Sequence, residues 1–108
     1  MNADNEFRVI LVTAPDVEVG RQVARAVLDA RLVACVNIVP KIESLYWWKG
    51  EIQSESEVLL VMKTKTGKIN HLEAAVKAAH PYEIPEFVVL PIAAGSPDYL
   101  KWITDSVQ

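Results

Sequence analysis

The sequence predicts an α+β fold, a four-stranded antiparallel sheet with two helices on one face and a third at its end, and three observations carry that prediction. Apolar residues switch between period-two and helical spacing in the order β-α-β-β-α-β-α. Two of the strand segments are long and joined by a tight reversal at Trp48-Lys49-Gly50-Glu51. The chain has 108 residues and a mass of 12.0 kDa, with 51% hydrophobic and 23% charged side chains, which is enough for one core and not two. Residues 1–108 are therefore read as a single domain.

Each element has a local reason. Phe7 to Thr13 is an apolar, β-branched run stopped by Ala14-Pro15-Asp16, as expected of a strand buried on both faces. Asp16 caps the next segment, where Val19, Val23, Ala26, Val27 and Ala30 recur at helical spacing to about Leu32. From Ala34 to Trp47 the period becomes two, with Ala34, Val36 and Ile38 opposed to Cys35, Asn37 and Val39. Pro40 cannot donate to a ladder, so a bulge or an unpaired edge is expected there. Ile52 to Thr64 returns as the second arm of the hairpin. Ile69, Leu72, Val76 and Ala79 form one face of a second helix, which must stop near His80 because Pro81 disfavours helical geometry before it. Glu86 to Ile92 is the last strand. Ser96-Pro97 reads as an N-cap with a first-turn proline, opening a helix that presents Tyr99, Trp102 and Ile103. Two right-handed split βαβ units in this order make a ferredoxin-like βαββαβ sandwich with a C-terminal helix and a long β2–β3 hairpin.

The hairpin also argues for association. Strands near 14 residues reach about 45 Å if fully extended at about 3.3 Å per residue, whereas a 15-residue helix covers about 23 Å. The overhanging tip carries Tyr46, Trp47 and Trp48, and such aromatics beside open strand edges favour a partner subunit over a hairpin curled back on itself.

Eleven Lys and Arg against 14 Asp and Glu give a net charge of −3 with no basic run, which argues against nucleic acid as a partner. One cysteine cannot form an internal disulfide, and with no signal-like or membrane-length apolar run a cytoplasmic location is expected. Rival chemistries fail for want of residues. The second arm's Val58-Leu59-Leu60-Val61-Met62 lacks RNA-stacking aromatics, a single cysteine cannot supply Cys-x-x-Cys, and no glycine-rich phosphate loop or nucleophile–base pair is present. The protein is accordingly not expected to be an enzyme.

Cys35 and His80 are the only soft or borderline ligands in suitable positions, a pair that fits copper or zinc, with Glu83 as a neighbouring carboxylate. Each has an ordinary structural reading as well, Cys35 as a small buried hydrophobe and His80 as a helix-end residue; His71 reads as a solvated helix residue. Glu51, Glu55 and Glu57 lie on the second arm, where they hold a cation in an assembled oligomer or pair with Lys41 and Lys63. Lys63, Tyr82 and Glu57 are candidates for an intersubunit cleft.

The motifs Thr13-Ala14-Pro15-Asp16, Ala34-Cys35-Val36-Asn37, Tyr46-Trp47-Trp48-Lys49-Gly50, Lys63-Thr64 and His80-Pro81-Tyr82-Glu83-Ile84-Pro85-Glu86 together resemble the divalent-cation tolerance family, CutA. The resemblance spans nearly the whole chain. It implies a homotrimer in which hairpins of neighbouring subunits extend the sheets, and weak, non-catalytic binding of copper or another divalent cation. Relatives proposed to bind copper carry a cysteine before Thr-Ala-Pro-Asp and a histidine before His-Pro-Tyr; Val12 and Ala79 stand there, leaving His80 from that set. The alternative is a small-molecule signalling module, similar in architecture to the trimeric PII proteins, with an anionic ligand in an intersubunit cleft near Lys63.

Overall fold

A computed structural model describes residues 6–107. Strand β1 (Phe7–Ala14) leads into α1 (Val17–Asp29), followed by the hairpin of β2 (Cys35–Trp48) and β3 (Glu51–Lys65). A single 3-10 turn (Thr66–Lys68) opens α2 (Ile69–Ala79), and β4 (Val88–Pro91) and α3 (Pro97–Ser106) complete the chain. The sheet order is β2-β3-β1-β4 with every neighbouring pair antiparallel, as the expected fold requires.

The core forms where the even-numbered side chains of β1 and β3 meet the apolar stripes of α1 and α2. Ile10, Val12, Leu60 and Met62 are fully buried against Val23, Val27, Leu72 and Val76. Gly20 lets α1 approach the sheet, because a Cβ there would stand 3.3 Å from Leu60 Cδ2. The second face is covered only at one end. Phe7 is out of phase with Ile10 and Val12, and α3 packs Leu100 and Ile103 against it.

Four boundaries or faces differ from the sequence reading, each for a visible reason. Helix α1 ends at Asp29 instead of near Leu32, because Arg31 turns left-handed (φ 59°) while the Arg31 and Leu32 amides donate back to Leu28 O and Val27 O, both at 3.0 Å. Ala26 and Ala30 are exposed, and Gly20 and Ala24 take their place in the buried stripe. Strand β4 keeps only the residues in register with β1, from Arg8↔Pro91 to Leu11↔Val88, with Pro91 tolerated on a free edge. In α3 it is Leu100 and Ile103 that pack, whereas Tyr99 and Trp102 pair with each other on the exposed side, ring centroids 5.4 Å apart.

The hairpin follows expectation closely. Lys49 and Gly50 both have positive φ (49° and 82°), the geometry of a two-residue type I′ turn. Between Val39↔Leu59 and Ile42↔Glu57, β2 advances three residues while β3 advances two, so a one-residue bulge sits at Pro40-Lys41. Strand β1 pairs with β3 only from Val58 to Lys65, so the Glu51–Glu57 edge of β3 projects past the end of β1 and the molecule measures 44 × 25 × 23 Å.

Candidate functional site

Where β1 stops, the chain after α2 crosses beneath the projecting arm and a cleft of about 870 Å³ opens between them. One wall is the arm, with Glu43, Tyr46, Trp47, Trp48, Gln53, Glu55 and Glu57; the other is the segment Tyr82 to Glu86. Among the described residues, five carboxylates line it and no lysine or arginine does.

His80 anchors the crossing segment. It is the residue where α2 must end before Pro81, and its ring is buried (8% exposed) at the end of β1. Its Nδ1 accepts the Tyr82 amide at 3.1 Å, so the proton resides on Nε2, which donates to Thr13 O at 2.7 Å. The His80 and Tyr82 rings lie 4.7 Å apart. Tyr82 in turn donates its hydroxyl to Glu57 Oε2 at 2.7 Å, which satisfies a carboxylate that is only 7% exposed. Burial first, then the bond to Glu57 and the charges of Glu57, Glu55 and Asp16, push the Tyr82 phenol well above its ordinary range, so it remains a donor. Glu86 is raised as well, by desolvation and then by the nearby Glu57 charge. Farther out on the arm, the Tyr46 hydroxyl donates to Glu55.

The expected sites are thus partly assembled and partly dispersed. Tyr82 and Glu57 meet, but Lys63 is six residues from Glu57 along β3, about 20 Å away at the strand rise, and donates to Asn37. Cys35 is opposite Lys63, whereas His80 bonds the strand position opposite Leu59, so the two soft ligands are about 13 Å apart along the sheet. Cys35 Sγ instead lies 3.8 Å from the Tyr99 hydroxyl. Both ring nitrogens of His80 are spent on the fold, and among the described residues no three of His, Cys, Asp and Glu are gathered to hold a metal. Within one chain, His80, Cys35 and Glu83 therefore do not fit a soft-metal site, and His80 is a structural histidine. The glutamates do not pair with Lys41 or Lys63; Glu55 and Glu57 take tyrosine hydroxyls, and ion pairs form along the helices at Arg25–Asp29, Glu73–Lys77 and Lys101–Asp105. His71 is exposed on α2, as read. Of the aromatic tip, Trp47 is 72% exposed, while Tyr46 and Trp48 are half-buried toward the cleft.

Glu43 and Gln53 are cleft residues that the sequence reading did not assign to a site, whereas Glu86 was expected beside Tyr82 and Glu83 near His80. The Tyr46–Glu55 bond was readable, since a two-residue turn at Lys49-Gly50 sets Tyr46 opposite Gln53 and diagonal to Glu55. The Tyr82–Glu57 bond depends on the crossing loop and carried no such signal.

Comparison with known proteins agrees with this architecture. The profile of the CutA1 divalent ion tolerance protein family matches residues 8–106. The divalent-cation tolerance protein CutA of Thermus thermophilus is 48% identical over 98 residues, covering 91% of this chain and 95% of that protein. Its solved structure superposes with a TM-score of 0.92 over 94% of this chain and 99% of that one. A rice relative, Protein CutA 1, chloroplastic, is 44% identical over 93% of this chain, which spans 56% of that protein's length. The periplasmic divalent cation tolerance protein CutA of Archaeoglobus fulgidus is 35% identical with a TM-score of 0.91, over 94% of this chain and 99% of that one. The chain belongs to the CutA1 divalent ion tolerance family.

Proposed function

We propose that the protein is a homotrimeric, non-catalytic divalent-cation tolerance protein that binds cations weakly at the cleft beneath the hairpin arm. The observation that carries this reading is the lining: Glu43, Glu55, Glu57, Glu83 and Glu86, with no basic side chain among them. Oxygen donors of this kind suit harder divalent cations better than the thiolate–imidazole pair expected for copper. Binding is weak because the carboxylates stand on opposite walls of a wide cleft, which costs ordering free energy that a preformed cage does not. The same lining disfavours the anionic ligand of a PII-like module, whose expected lysine, Lys63, is at the far end of β3.

The free edge of β3, the exposed tip and the half-covered second face support assembly into a trimer. A single, unbridged Cys35 supports the cytoplasm as its compartment, although relatives carry chloroplastic and periplasmic names. Among the described residues no helix is long and apolar enough to cross a membrane.

Calorimetric titration of the purified protein with Mg²⁺, Zn²⁺, Cu²⁺ and ATP tests the reading. Cations are expected to bind with Kd on the order of 10⁻⁴ to 10⁻³ M, as at weak carboxylate sites, and Glu55→Gln combined with Glu83→Gln should abolish the heat. Saturable binding of ATP without any cation would replace this reading with the anionic one.

A further inference from the structure

The crossing segment is held by one imidazole in one protonation state. Neutral His80 is a donor at Nε2 and an acceptor at Nδ1, and both roles are used, toward Thr13 O at 2.7 Å and the Tyr82 amide at 3.1 Å. A proton on Nδ1 would turn that acceptor into a donor facing another donor. We propose that His80 is a pH-responsive latch for the cleft: its protonation expels the Tyr82 amide, withdraws the Tyr82 hydroxyl from Glu57, and frees the Tyr82–Glu86 wall. This goes beyond the cation-binding reading and stands independently of it, since it concerns the wall whatever the cleft takes.

Three features make the latch selective. The ring is buried, so water cannot easily take over the lost bond. The next residue is Pro81, which has no amide to replace the donor. The strand pairing of β1 and β3 does not depend on the ring, because Thr13 and Leu59 are held by their own ladder. The charged groups on the surrounding elements are the carboxylates of Asp16 before α1 and of Glu55 and Glu57 on β3, all acting on Tyr82, and Glu86 beyond the loop. The cation nearest in sequence, Lys77 of α2, is turned to Glu73 at 3.1 Å.

The test is an NMR titration of the full chain between pH 8 and pH 5, following the His80 ring carbon and the Tyr82 amide, with amide exchange expressed as protection relative to the intrinsic rate. The expected result is a loss of about ten-fold in Tyr82 protection, on the scale of one hydrogen bond, with the same midpoint as the His80 ring. With only two histidines in the chain, His71→Asn assigns the signals and should leave the step unchanged. His80→Asn keeps an acceptor but cannot titrate, so the step should vanish; Tyr82→Phe frees Glu57 yet keeps the amide, so the step should remain. Tyr82 protection that is constant while His80 titrates would overturn the latch. So would a His80 ring that never titrates in this range, a step that survives His80→Asn, or one lost in Tyr82→Phe.

Discussion

Glu57 is the residue on which the most local chemistry converges. Its carboxylate is 7% exposed and accepts the Tyr82 hydroxyl, and removing that donor leaves a buried charged acceptor without its protein partner. Tyr82→Phe is therefore expected to destabilise the fold by about 1 to 3 kcal/mol, read from denaturant midpoints at unchanged slope. Glu86 behaves in the opposite sense. Its pKa is raised in the folded state, by desolvation and then by Glu57, so the folded protein binds its proton more tightly than the unfolded chain. The associated stability is complete below the ordinary Glu range and is lost as pH rises through the folded value. Glu86→Gln should accordingly stabilise the protein at pH 7 and have no effect near pH 3.5; equal effects at both would show that the carboxyl is not perturbed. Because Glu86 is well exposed, solvent screening keeps the gain small.

At the scale of elements, the two left-handed residues outside glycine mark where the backbone departs from its sequence preference. Arg31 closes α1 in a position that glycine favours, and its guanidinium reaches Ser106 O at 3.3 Å. Arg31→Gly removes a strain of order 1 kcal/mol and an exposed bond of lesser value, so thermal unfolding should show a gain of up to about 1 kcal/mol. Period-two and helical patterns made every element legible, since Ile10, Val12, Leu60 and Met62 alternate as a buried face must. The hairpin was legible to within one residue at each end of its strands, because the turn at Lys49-Gly50 fixes its register. The end of α1 was not, because an arginine gives no glycine-like stop signal, and the length of β4 is set by how much of β1 remains to pair with. The candidate site was legible only in its parts. Tyr82 and Glu57 are 25 residues apart and meet because a loop crosses beyond the end of β1, while Lys63 and Cys35, on the same sheet, were carried to its other end.

The whole molecule leaves a surface that a single chain does not complete. Opposite the helices, Val9, Leu11, Leu59 and Val61 are only half-covered, and the edge strand adds Val88 and Leu90 exposed on that face. The arm adds apolar surface on the other, helix-side face, with Leu45, Trp47 and Ile52 at 65%, 72% and 62% exposure, since Trp47 pairs with Ile52, Leu45 is two residues behind, and Ile52 alternates onto the side of Val58 and Leu60. Apolar surface left open on both faces, beside the unpaired edge of β3, is stabilised when copies of the chain cover one another's exposed strands. For the proposed homotrimer, light scattering coupled to size exclusion should give about three times the 12.0 kDa chain mass. Truncating a buried aromatic costs about 3 to 5 kcal/mol, so Trp47→Ala should lower the assembled mass on dilution and make Tm depend on protein concentration where the parent's dependence is weaker. Trp48→Ala, which opens the cleft side of the tip, should weaken assembly less than Trp47→Ala. A parent protein that runs as a monomer at every concentration, with Tm unchanged in Trp47→Ala, would mean that the arm stands in water and that the cleft beneath it belongs to one chain alone.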